Sequence, residues 1–260
     1  MKYPKNLEYA KASQDASDNL DMSTEATDEE LNEAIMDEFG VKYSKDGRKL
    51  LKAPQELDRT YSIRKGTKIV CDMAFAYCKS LSNVVIPDSV TSIGDGAFED
   101  CSSLSSVVLP DSITSIGNRA FNECDSLRSV VISDGVTSIG DGAFQFCSSL
   151  NDIIIPDSVT SIGIYAFGEC TSLSSLVISD SVTSIGNWAF YYCDALRSVV
   201  IPDGVTSIGV GAFIGCKSLK SLEIPDSVTS IGFGAFSYCY FPYKLKQELI
   251  SRFGDKIFGN

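Results

Sequence analysis

The chain has 260 residues, 44% of them hydrophobic and 22% charged, which is enough apolar material for a packed fold and too much for a chain disordered throughout. Its formal net charge is −12, from 34 acidic against 22 basic residues with no basic patch, which argues against nucleic acid as a partner because phosphate backbones need clustered Lys and Arg. The absence of histidine removes His-dependent triads, His acid–base chemistry and the commonest metal ligand, leaving only Asp, Glu, Lys, Tyr or Cys for proton transfer.

The opening residues, MKYPKNLEYAKASQDASDNLDM, hold no apolar run between a basic start and a small-residue cleavage site. Nowhere does an apolar run approach the roughly 18 residues of a membrane helix. The reading is therefore no membrane insertion, no export signal and no anchor, which fits an intracellular protein or a trimmed piece of an exported one.

Residues 1–40 carry eleven acids against three lysines and read as a flexible acidic segment of roughly twenty residues followed by a short helix. The helix is expected in TDEELNEAIMDEF: Thr27 and Glu30 form a capping box, and Leu31, Ala34, Ile35 and Phe39 share one face. Such a helix packs on the first coil, serves as a linker, or docks on a partner. Residues 41–62 read as a capping hairpin and leader, with Asp46-Gly47 turning the chain between VKYS and RKLL so that the pair covers the first edge of the next unit.

From residue 63 to residue 239 a period of 23 dominates. Phe75, Phe98, Phe121, Phe144, Phe167, Phe190, Phe213 and Phe236 keep that step, each preceded by alanine, and so do the cysteines from Cys78 to Cys239 and the leucines from Leu81 to Leu219. A 23-residue unit cannot close its own core, whereas eight stacked copies bury a continuous phenylalanine column. In LSSVVLP, Val107 and Leu109 alternate inward with Leu104, marking a strand. In the P/S-D-S/G turn that follows, the aspartate side chain is expected to satisfy backbone donors. VTSIG then brings Val90 and Ile93 inward, with a second short strand, and Gly94 and its equivalents suit a corner with a demanding backbone. AF..C is a tight helical or irregular turn. Residues 240–260 read as a C-terminal helical cap through Leu245, Leu249, Ile250 and Phe253.

The unit L..V.IPDSVTSIG..AF..C resembles the BspA-type leucine-rich repeat, also called the Treponema pallidum type, and YSKDGRKLLKAP is similar to the leader often found before it. The resemblance implies an α/β solenoid: a leucine-rich repeat right-handed superhelix of 23-residue coils with a parallel concave β-sheet. It also implies a cell-surface or secreted protein, with adhesion among the roles of relatives, and no catalytic residues.

The eight periodic cysteines read as buried small hydrophobes, since parallel side chains face neither a disulfide partner nor a common metal; Cys71 breaks the period and falls outside that argument. The aspartates Asp88, Asp111, Asp134, Asp157, Asp180, Asp203 and Asp226 form a column explained by turn chemistry, with cation attraction as the alternative. Two candidate contact surfaces remain. One is an outward stripe on the presumed concave face: Val85, Val108, Val131, Ile154, Val177 and Val200. The other is an aromatic patch of Phe146, Tyr165, Trp188, Tyr191 and Tyr192 at positions where other coils accept glycine. The resulting expectation is a monomeric, non-enzymatic binding or adhesion module for a protein or surface glycan, without metal or cofactor, and the alternative is a structural or antigenic spacer.

Overall fold

The computed structural model describes residues 23–259. The stretch read as flexible, within residues 1–22, lies outside them.

Each coil contributes two strands. The longer ones, Leu81–Val85, Ser106–Val108, Ser129–Val131, Asp152–Ile154, Ser175–Val177, Ser198–Val200 and Ser221–Glu223, lie in parallel pairs in which Ser129 meets Ser106 and Ile154 meets Val177. The register is therefore one coil, with the ladder in three pieces that break between Leu81–Val85 and Ser106–Val108 and between Ser175–Val177 and Ser198–Val200. The shorter strands, Ile69–Val70 and Ser92–Ile93 through Ser230–Ile231, are one per coil as expected from VTSIG, and with three strands that precede the repeats they form one continuous sheet of eleven strands.

Between the sheets runs the phenylalanine column. Successive rings from Phe75 to Phe236 stand 4.9–5.7 Å apart at interplanar angles of 2–12°, an offset stack imposed by the coil spacing. Val107, Leu109, Val90 and Ile93 are buried as the alternation requires. Beside the rings, each thiol of the column donates to a carbonyl of the preceding coil, as Cys147 Sγ does to Phe121 O at 3.2 Å. The cysteines are thus hydrogen-bond donors as well as small apolar fillers.

Two local expectations are corrected. Gly94 and its equivalents do not hold a left-handed conformation; a Cβ on Gly140 would instead sit 2.7 Å from the carbonyl carbon of Gly117, so glycine is required by close backbone approach between coils. The aspartate turn is closed by the backbone, Val90 N–H donating to Pro87 O at 3.0 Å, and all seven column aspartates face solvent. Among the described residues, the side-chain bonds recorded for that column reach other segments: Asp157 accepts from Ser179 Oγ and Asp226 from Arg252 Nη2.

At the start, the capping box forms, with Glu30 N–H donating to Thr27 Oγ1 at 3.1 Å, but helix α1 is only Asp28–Asn32. Ile35–Met36 becomes strand β1, paired antiparallel with β2, Lys42–Tyr43. Asp37 Oδ1 accepts from the N–H groups of Phe39 and Val41, and Gly40 at φ +79° completes the reversal. Sheet pairing therefore overrides the helical pattern beyond Asn32: Leu31 and Ala34 pack on the core, while Ile35 and Phe39 are exposed. Strand β3, Lys49–Lys52, pairs with β2 across the Asp46-Gly47 turn and in parallel with Ile69–Val70, extending the short-strand sheet. The leader also contains strand β4, Arg59–Ser62, paired with Leu81–Val85, so residues 42–62 supply both strand positions of an extra coil.

At the other end, helix α2, Tyr243–Phe253, buries Leu249, with Leu245 and Phe253 packed on the core. The following 3₁₀ turn, Asp255–Phe258, buries Ile257 and presents Lys256 O and Ile257 O to the N–H groups of Gly234 and Phe236. Those carbonyls stand where a further coil's would be, just as Ala235 O serves Phe213.

Candidate binding surfaces

Strand alternation determines what the longer-strand face shows. With Val84, Val107 and their equivalents inside, Val85, Val108, Val131, Ile154, Val177 and Val200 point outward, each 50–65% exposed. Hydrogen-bonded ladders hold Val108 to Val177 in one-coil register, and the strands of Val85 and Val200 lie against theirs without a ladder, so the six side chains form one apolar row. Glu223 takes the same position in the next coil and ends it. Beside the row runs a line of small polar residues, Asn83, Ser106, Ser129, Asp152, Ser175, Ser198 and Ser221.

On its other side the stripe borders the aspartate turns. A shallow depression of about 510 Å³ is lined by Val131, Ile154 and Val177 together with Asp134, Asp152 and Asp157. A second one joins Val85 and Val108 with Asp88. The face thus has an apolar floor and a carboxylate wall.

The aromatic patch lies on the AF..C turns, whose backbone explains its sequence preferences. Each coil there holds two left-handed residues. The first position runs Met73, Gly96, Arg119, Gly142, Tyr165, Trp188, Gly211 and Gly234, with φ between 54° and 64°. The second includes Tyr77, Asp100, Glu123, Phe146, Glu169, Tyr192, Gly215 and Tyr238. Glycine takes half of the first positions, as this geometry favours, but only Gly215 of the second, and a side chain here costs about 1–2 kcal/mol of backbone energy.

Tyr165 stacks on Trp188 at 5.1 Å and 10°, and Tyr191 meets both Tyr165 and Tyr192 edge-on, at 6.0 and 4.4 Å. Phe146 stands outside this group, separated from Tyr192 by Glu169 in the intervening coil, although it is 37% exposed. The rings also rest on glycines of the following coil. A Cβ on Gly211 would lie 2.6 Å from the Trp188 ring, and one on Gly215 2.8 Å from the Tyr192 ring. Trp188 is therefore wedged between Tyr165 and Gly211, and Tyr192 carries Lys217 over its ring at 5.2 Å. Much of the aromatic bulk is used in packing between coils.

Sequence reasoning missed a ladder beside these turns. Asp72, Asp95, Asn118 and Asp141 each accept, through Oδ1, the N–H one coil onward, at 2.7–2.9 Å. The ladder is interrupted at Ile164 and resumes for one step, where Asn187 Oδ1 accepts from Val210 N–H at 2.8 Å; Ile164, Val210 and Phe233 at the same position leave apolar side chains exposed. A column alternating Asp with Asn signals such a ladder, since only short carbonyl-bearing side chains reach.

The thiols are chemically quiet. Burial pushes Cys78 up to about 11 and Cys170 up to about 12, and Cys147, Cys193 and Cys216 well above the ordinary value. Cys71, the aperiodic residue, is buried as well. Among the described residues no group of three or more Asp, Glu or Cys is arranged to hold a metal ion, and no helix is long and apolar enough to cross a membrane.

A family model described as the BspA type leucine rich repeat region matches residues 67–197 and 137–260, in six copies. A T. pallidum leucine-rich repeat protein of known structure is 30% identical, with a TM-score of 0.64, over 87% of this chain and 95% of its own. A leucine-rich repeat protein from Eubacterium ventriosum is 27% identical with a TM-score of 0.66; the match covers 75% of this chain, which spans about half of that one, 51%. No curated protein matches the chain.

Proposed function

Because the chain belongs to the BspA-type leucine-rich repeat family, we propose that it is a binding and adhesion module that holds a protein or a surface glycan against the longer-strand face. The repeat fold is generally non-enzymatic and offers an extended surface in place of a cleft. The observation that carries the reading is the uninterrupted row from Val85 to Val200. Strand propensity accounts for any one of these residues, but threonine would serve the strand as well and keep the surface wetted. Six adjacent exposed β-branched apolar side chains form a patch of the kind that marks contact sites.

The Tyr165–Trp188 group is the weaker of the two surfaces. Trp188 stacks on Tyr165 and its pyrrole edge lies close against Gly211, so part of its ring surface is already used between coils and less of it is left for a sugar to stack on. A protein ligand is favoured for the same reason. The test is an array of extracellular-matrix proteins and glycans probed with the intact chain and with the triple variant Val131→Thr/Ile154→Thr/Val177→Thr, which keeps every β-branch. Ligands captured by the parent are expected to be lost by the variant. Equal capture by both would remove the stripe from the binding surface.

A further inference from the structure

The array asks whether the stripe binds. The chemistry around it addresses what it binds, and this step rests on the stripe being the contact surface. We propose that its partner is a cationic amphipathic α-helix of about five turns, lying along the solenoid axis from Val85 to Val200 with its basic flank over the aspartate turns.

Charge is the first argument. The seven column aspartates are exposed along one flank, and Asp134 and Asp157 line the same depression as Val131, Ile154 and Val177. Asp152 and Glu223 add two carboxylates on the face itself. Arg128, Arg197 and Lys220 are the cations on the opposite flank. With Asp226 met by Arg252 and Asp152 on the serine side of the row, the six aspartates from Asp88 to Asp203 form the acidic flank, and Arg128, Arg197 and Lys220 stand across the row. That arrangement calls for a ligand whose apolar ridge has Lys or Arg along one edge and neutral or acidic residues along the other. Lysine and arginine suit such an edge because their stems cover apolar surface while their charges reach outward.

Spacing is the second argument. Coils recur every 4.9–5.7 Å along the phenylalanine column, and the strands that carry the row stand about 4.7–4.9 Å apart where they pair. An α-helix advances about 5.4 Å per turn, so apolar residues at i, i+4, i+7 and i+11 fall beside successive stripe residues. An extended strand repeats its same-face side chains about every 6.6–6.8 Å and loses step after two or three coils. The five coil steps from Val85 to Val200 amount to roughly 26 Å, the length of a helix of about 18 residues at 1.5 Å each. Seating an apolar helix face in a groove in this way is a recurrent mode of peptide recognition.

The probe is a labelled synthetic peptide of about 18 residues, with leucine along one helical stripe, lysine along one flank, and alanine and glutamine elsewhere. It is titrated with the full chain by fluorescence anisotropy. Controls are the same composition scrambled and the same design with glutamate for lysine. Saturable binding is expected, weakened at least about tenfold by scrambling and at least about tenfold by the threonine triple variant. The chain carrying Asp134→Asn, Asp157→Asn and Asp180→Asn is expected to bind at least roughly threefold more weakly, with a shallower salt dependence. The glutamate peptide is expected not to bind.

No binding of the designed peptide, or equal binding of the scrambled one, overturns the helical partner. Binding untouched by the threonine variant overturns the location. If the peptide fails while a ligand from the array is lost with that variant, the face stands and this partner chemistry falls; if the array ligand is also indifferent to the variant, both fall.

Discussion

Two apolar surfaces are exposed on this solenoid, and they differ in what their neighbours do with them. On the longer-strand face the same residue class recurs in six consecutive coils, and more than half of each side chain, on average, meets solvent. On the turn face the residues change from coil to coil, and the large ones lie on the glycines of the next coil: Arg119 toward Gly142, Trp188 over Gly211, Tyr192 over Gly215. Irregularity on the turn face thus has an internal explanation in packing between coils. Regularity on the strand face has none among the described residues, where those methyl groups are left exposed. Among repeated units, an exposed position that stays apolar without packing need is the better sign of an external contact.

Both surfaces presuppose one register, and the broadest way to break it is alkali. The buried thiols have folded pKa values above the ordinary 9.0, so below pH 9 they cost nothing, and above it the unfolded chain releases protons that the folded chain retains. Stability should therefore fall by about 1.4 kcal/mol per pH unit per such thiol as pH rises from 9 toward 11 for Cys78 and 12 for Cys170. Thermal unfolding followed by circular dichroism from pH 7 to 11 is expected to show a plateau and then a steep decline; a flat profile above pH 9 would mean the thiols reach solvent.

Next in size is Phe144→Ala, which removes the ring between Phe121 and Phe167 and should cost about 3–5 kcal/mol in urea unfolding. An unchanged midpoint would dissolve the column beneath both faces. A smaller pair of changes separates strain from ring contact. Gly211→Ala meets a left-handed backbone and the Trp188 ring at once, and should cost about 2–3 kcal/mol. Gly234→Ala meets the same backbone strain, with the Ser237 hydroxyl as its nearest neighbour, and should cost about 1–2 kcal/mol. Equal losses at the two sites would mean that Trp188 does not rest on Gly211 and is freer to bind than its packing indicates.

What the sequence made legible came from the period of 23. Phe144, Cys147, Leu150 and Ile154 could be placed inside or outside because a single alternation, repeated, determines every copy. The left-handed turn positions were not legible in that way. Met73, Arg119, Tyr165 and Trp188 share no side-chain property, and only the interspersed glycines hint at the backbone. Glycine itself was ambiguous: at Gly140 it serves close approach, at Gly142 a positive φ, two residues apart. The helix expected through Phe39 stopped at Asn32 because Ile35–Met36 could pair with a sheet edge, a tertiary option that local periodicity does not display. Strand β4 escaped because RTYS lies before the periodic region and its register against Leu81–Val85 is broken between Arg59 and Thr60.

The contrast between the faces comes to a point in one paired measurement: the dissociation constant of the tightest array ligand for the threonine triple variant and for Trp188→Ala, each accompanied by its urea midpoint. The stripe account predicts that the triple variant unfolds within about 0.5 kcal/mol of the parent per substitution while binding weakens by about 2 kcal/mol or more. It predicts the reverse for Trp188→Ala, with stability lost and affinity kept. Binding that survives the triple variant and fails with Trp188→Ala, at unchanged stability, would contradict the account and move the contact surface to the turns.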